Sequence, residues 1–89
     1  METRKKIYED ARIKWGSINQ LTVAIEELSE LQKEICKYFR HEGKHEDLIE
    51  EVADVSIMLE QIILMFDIQD DVNKVMEEKL QRLKRRIEG

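Results

Sequence analysis

Apolar residues recur at intervals of three and four along nearly the whole chain, the period of helices that bury one face. Residues 2 to 15 carry Ile7, Tyr8, Ala11 and Trp15 at that spacing, which predicts a first helix, and Gly16 is suited to end it. Ser17-Ile18-Asn19-Gln20 has the form of a capping box, with Gln20 at the third helical position. A second helix is therefore expected from Ile18 to about Arg40. Its apolar stripe is Ile18, Leu21, Ile25, Leu28, Ile35 and Phe39, widened by Ala24, Leu31 and Tyr38. His41 to Glu46, with Gly43 among them, form a short polar turn, and so short a connection makes the flanking helices antiparallel neighbours.

The third helix is expected over Asp47 to Phe66, the most apolar part of the chain. Leu48, Val52, Val55, Leu59, Ile62, Ile63 and Phe66 make its main stripe, and Ile49, Ile57, Met58, Leu64 and Met65 extend it around the helix. That surface is wider than one neighbouring helix covers, so it belongs at the centre of a bundle or against another subunit. Asp67 is the expected N-cap of a fourth helix carrying Ile68, Val72, Val75, Met76, Leu80, Leu83 and Ile87. The pattern predicts an all-α protein, a four-helix antiparallel bundle in one compact domain over residues 1–89, completed by oligomerisation.

Composition narrows the class. Eighty-nine residues lie near the lower limit for a chain that folds without disulfides or a structural metal. A net charge of −5 argues against a general nucleic-acid binder or a binder of anionic membranes, although the stretch from Lys79 to Gly89 is basic. Cys36 is the single cysteine, which excludes an internal disulfide and a cysteine-based zinc site and suits a reducing compartment. The longest apolar run, Ile62 to Phe66, is far short of a membrane span, and no apolar stretch follows Arg4, Lys5 and Lys6 as a signal peptide requires. A soluble, cytoplasmic protein is expected.

Two acidic segments stand out, Glu26-Glu27-Leu28-Ser29-Glu30 and Glu50-Glu51-Val52-Ala53-Asp54. Each sets acids three apart on a helix, so each pair projects from one face, and a hairpin would bring the four carboxylates together. On a helical wheel Glu51 falls among Leu48, Val55, Met58 and Ile62, inside the apolar face. Glu27, Glu30 and Asp54 line its margin, and Glu26 and Glu50 fall outside. A carboxylate in apolar surroundings must be neutralised or compensated, so Glu51 needs a cation, a basic side chain or water. The plain alternative is a solvated acidic face with pairs along the helix, which accounts well for Glu26, Glu34, Glu42 and Glu46 but poorly for Glu51. An all-carboxylate set suits Mg²⁺ or Mn²⁺. A di-iron site would want Glu-x-x-His pairs, whereas His41 and His45 both lie in the turn.

The order Glu-Glu-x-x-Glu, a gap of twenty residues, then Glu-x-x-Asp resembles the signature of MazG-type nucleotide pyrophosphohydrolases, members of the all-α nucleoside triphosphate pyrophosphatase superfamily. Trp15-Gly16, Gln20-Leu21, the run from Ala24 to Lys33 and that from Glu50 to Val55 are similar to short MazG-like proteins. The resemblance covers most of residues 15 to 87. It implies Mg²⁺-dependent hydrolysis of a nucleoside triphosphate between the α and β phosphates, giving the monophosphate and pyrophosphate. The small core and the wide apolar surface of the third helix point to a homodimer or homotetramer. Glu27, Glu30, Glu51 and Asp54 would be the metal ligands, and Glu26 or Glu50 the acid that orients or deprotonates the attacking water. Lys79 and Arg82 would bind the triphosphate, and Gln20 and Trp15 would contact or shape the base pocket.

Each assignment has a plainer counterpart. Basic residues near a helix C-terminus also complement its dipole, which is the preferred reading for Lys84 and Arg85. Gln20 can serve as a capping residue and Trp15 as core. Where many family members have Asn two positions before the lysine, this chain has Glu77. Two rivals remain. One is a non-catalytic helical module that docks a partner through the third helix. The other is phosphoribosyl-ATP pyrophosphatase, whose Tyr-His continuation of the second motif is replaced here by Val55-Ser56-Ile57-Met58.

Overall fold

The computed structural model describes residues 3–89, so the predicted start of the first helix at residue 2 lies outside the described residues. Four helices and no strand are found among them: α1 (Arg4–Trp15), α2 (Ser17–Phe39), α3 (His45–Phe66) and α4 (Gln69–Glu88). The all-α expectation holds.

The helix ends differ in detail from the sequence expectation. Thr3 caps α1, its hydroxyl accepting from the Lys6 amide at 3.2 Å. Gly16 closes α1 with its N–H on the Arg12 carbonyl at 2.7 Å, in a conformation (φ 89°, ψ 154°) that a residue with a Cβ adopts only under strain. The same glycine is the N-cap of α2. Ser17 is therefore already helical, and no side chain caps α2, so the expected capping box does not form. Asp67 is likewise not the cap of α4. It ends α3 in the left-handed region (φ 52°, ψ 52°), and Ile68 precedes α4 instead.

The turn between α2 and α3 is wound tightly. The Glu42 amide donates to the Lys37 carbonyl at 3.0 Å and His41 to Tyr38 at 3.1 Å, with His41 at φ 58°. A Cβ on Gly43 would stand 3.3 Å from the Tyr38 backbone nitrogen, so glycine suits that close approach. The connection shortens to residues 40–44, and α3 begins two residues earlier than the pattern predicts.

The antiparallel α2–α3 hairpin is the heart of the fold, and α1 lies against both of its helices. α1 is fastened by Glu60 of α3, which accepts from the Tyr8 hydroxyl at 3.1 Å and from Arg4 at 3.0 Å. α4 packs on α3 alone and buries none of its residues.

The faces of α2 are arranged against expectation. Ala24 is buried, but so are Gln20 and Glu34, whereas Ile18, Ile25, Leu28, Ile35 and Phe39 are exposed. From α3, Val55, Met58 and Gln61 are buried. The single chain is an open all-α helical bundle. Its radius of gyration is 16.1 Å, against about 12 Å for a compact domain of this length. Its accessible surface is 7528 Å², against about 5,500 Å² for a compact monomer of this mass.

Candidate functional site

The hairpin brings Glu27 of α2 and Glu51 and Asp54 of α3 together. One carboxylate oxygen from each lies within 4.8 Å of the other two, a spacing that suits ligation of a single ion. Glu27 and Glu51 are half-buried and Asp54 is exposed, so the cluster opens to solvent on one side. Among the described residues no basic side chain pairs with any of the three. That removes a basic side chain from the ways in which Glu51 can be compensated.

The electrostatics follow from this crowding. Burial pushes the Glu51 carboxyl above its ordinary value, and repulsion from Asp54, Glu30, Glu34 and Glu50 adds to it. Glu27 is raised first by burial, then by the charge of Asp54 and by a hydrogen bond with Asp54 that favours the protonated form, and further by Glu51 and Glu30. The Glu51 Oε2 is fully buried and has no hydrogen-bond partner. An orphaned anionic oxygen in an all-carboxylate cluster has the chemistry of a hard divalent cation's ligand.

The other acids are placed unevenly. Glu30 stands outside the trio and is exposed, although its charge reaches both Glu27 and Glu51. Glu50 is exposed, and its charge contributes to the shift at Glu51. Glu26 is exposed and contributes to neither shift. Glu34, read from the sequence as a solvated surface acid, is instead buried and held by Lys37 at 3.1 Å. Its position could have been found by register. Glu34 lies five residues before the end of α2 and Glu51 six after the start of α3, so the two stand at similar heights in the hairpin.

A cavity of about 390 Å³ adjoins the cluster, lined by Trp15, Asn19, Gln20, Val23, Glu27, Asp54, Ile57, Met58 and Gln61. It has an acidic end and an end of mixed aromatic, apolar and amide character. Gln20 and Trp15 both line it. Gln20 is buried and donates from Nε2 to the Gln61 Oε1 at 2.9 Å, so neither the capping role for Gln20 nor a core position for Trp15, which is 57% exposed, matches what is found. Gln61 was not singled out in the sequence. A polar residue four after Ile57 and three after Met58, on the packed face of α3, was the available signal.

Lys79 and Arg82 are exposed on α4 and line no part of the cavity. Neither forms an ion pair among the described residues. Lys84 reaches Glu88 at 4.0 Å, and Glu77 accepts from Gln81 at 3.1 Å.

Compared with known protein families, curated proteins and solved structures, the chain gives no match. The likeness to MazG-type proteins therefore rests on the motif residues themselves. No described helix is long and apolar enough to cross a membrane.

Proposed function

We propose that this protein is a Mg²⁺-dependent nucleoside triphosphate pyrophosphohydrolase of MazG-like type, cleaving between the α and β phosphates to give the nucleoside monophosphate and pyrophosphate. The observation that carries the reading is the buried, partnerless Oε2 of Glu51 beside the carboxylates of Glu27 and Asp54. Three acids at this spacing with no basic partner repel one another when ionised, and they are relieved by a proton or by a cation. The adjoining cavity supports a ligand with one strongly anionic end and one flat, largely apolar end, which is the layout of a nucleotide.

Glu27, Glu51 and Asp54 hold the ion, with Glu30 completing the set. When bound, Mg²⁺ (or Mn²⁺) neutralises charge developing on the phosphates and makes a water a stronger nucleophile. Glu50 or Glu26, the acids flanking the set, orients and deprotonates the attacking water. Glu34 is paired with Lys37 and so is not counted among the ligands. Trp15 and Gln20 receive the base. Lys79 and Arg82 bind the triphosphate. That role calls on the assembly, because in a single chain neither lines the cavity.

The protein acts as a homodimer or homotetramer in the cytoplasm. The surface in excess of a compact monomer, about 2,000 Å² per chain or about 4,000 Å² over two, falls in the range of obligate homodimer interfaces. Exposed Ile18, Ile25, Leu28, Ile35 and Phe39 supply its apolar content.

That same exposed surface favours the second reading, a non-catalytic helical module that docks a partner. The two part on chemistry. Incubation with Mg²⁺ and a panel of NTPs and dNTPs releases pyrophosphate under the first reading, and folded protein that releases none with any nucleotide overturns it.

A further inference from the structure

We propose that Gln61, through its hydrogen bond to Gln20, reads the edge of the nucleobase and leaves the enzyme nearly indifferent to whether that edge carries an amino or an oxo group. The inference rests on the nucleotide reading above and goes beyond it to a residue and a specificity.

Gln20 and Gln61 are among the few buried polar residues of the chain, and both belong to the wall of the cavity rather than to a network sealed within the core. Their partners are few. Gln20 Nε2 donates to Gln61 Oε1 at 2.9 Å, and Gln20 Oε1 accepts from Asn19 Nδ2 at a long 3.4 Å. Among the described residues the Gln61 amide nitrogen donates to nothing. A side-chain amide carries two donors on one arm and an acceptor on the other. Gln61 therefore has one arm engaged by Gln20 and the other left for a ligand.

The three amides form a chain with a direction. A half-turn of each reverses that direction: Gln61 then donates to Gln20, Gln20 to Asn19, and Gln61 turns its oxygen outward. Both hydrogen bonds survive the reversal, so the chain presents a donor or an acceptor to the cavity at similar free energy. A base with an oxo group takes the first arrangement and a base with an amino group takes the second. Trp15 and Met58 line the same cavity and offer faces for a flat ring, while Glu27 and Asp54 mark the phosphate end.

The comparison that tests this is CTP against UTP, which differ in the amino or oxo group and in whether the neighbouring ring nitrogen carries a hydrogen. The measured quantity is the ratio of their kcat/KM values with Mg²⁺ for wild type, Gln61→Glu and Gln61→Met. Wild type should give a ratio within about threefold of one, because the chain adapts to either base. A carboxylate only accepts, so Gln61→Glu should move the ratio toward CTP by at least about tenfold, while any general repulsion of phosphate affects both substrates alike. Gln61→Met should lower both values and leave the ratio near one. A wild-type ratio beyond about tenfold either way overturns the reversible chain, as does turnover by Gln61→Glu at an unmoved ratio. If Gln61→Glu does not fold, Gln61→Met decides: both values unchanged removes Gln61 from the base. Failure of the nucleotide reading looks different, since folded wild type then turns over neither substrate, and this inference falls with it.

Discussion

Glu27 on α2 and Asp54 on α3 meet across the hairpin with carboxylate oxygens within 4.8 Å, and Glu51, one turn before Asp54, brings a third to the same place. Without a cation the fold works against this arrangement, and several consequences can be measured.

The first concerns pH. The carboxyls of Glu27 and Glu51 lie above their ordinary 4.5, so between that value and the raised ones the folded chain holds more protons than the unfolded chain. Stability contributed by these groups is fully present below the window and is lost as pH rises through it. In chelator, denaturant unfolding should show wild type losing stability relative to Glu51→Gln as pH climbs from 4.5 toward neutrality. A difference between the two that does not change with pH contradicts the shift at Glu51.

Divalent cation should reverse the penalty. Mg²⁺ or Mn²⁺ at a hundredfold excess over its dissociation constant stabilises the fold by about 2.7 kcal/mol, which for a domain of this size raises the melting temperature by roughly 10–20 °C. Glu51→Gln should melt no lower than wild type in chelator and lose most of the cation response. A cation response equal in the two proteins removes Glu51 from the ligand set. The non-catalytic reading predicts no response in either.

Much of this was legible in the sequence, and the exceptions share a cause. The period of three and four located all four helices, because local spacing needs no knowledge of what packs where. Glu27, Glu51 and Asp54 were legible because acids three apart on each arm of a hairpin can meet only on the facing surfaces. The inward face of α2 was not. A wheel takes the largest apolar face to be the buried one, which put Ile18, Ile25 and Phe39 inside, yet they are exposed while Gln20 and Glu34 are buried. Here the hairpin seam carries the polar groups of the site, and the apolar stripe is left for other surfaces, a local conflict that functional sites commonly carry. Ser17 and Asp67 misled for a smaller reason. Each is a good cap by type, but the neighbouring Gly16 and Ile68 hold the cap positions.

The exposed stripe makes its own prediction. Sedimentation should give a multiple of the 10.7 kDa chain mass. Ile25→Asp, on the α2 stripe, should shift the species toward monomer without loss of helical signal. Wild type sedimenting as a monomer at working concentrations contradicts the assembly. Within the chain, Met58→Ala should cost about 2–5 kcal/mol because Met58 is buried in the hairpin.

The docking of α1 depends on Glu60. Tyr8→Phe removes a part-buried hydrogen bond to it and should cost about 0.5–1.5 kcal/mol. Arg4→Ala should cost little, and less as salt is added, since the Arg4 side chain is largely exposed. Hydrogen exchange across α1 reads both, and equal protection in Tyr8→Phe and wild type would show that the bond does not hold α1 in place.

The most direct measurement is of the products formed from nucleoside triphosphate by wild type and by Glu51→Gln, each with Mg²⁺ and with chelator. Wild type with Mg²⁺ should yield monophosphate and pyrophosphate in equal amounts. Chelator should stop the reaction, and Glu51→Gln should lower the rate by at least about a hundredfold while the chain stays helical. Diphosphate and inorganic phosphate as products, or full activity in Glu51→Gln, would contradict the assignment of this cluster to pyrophosphohydrolysis.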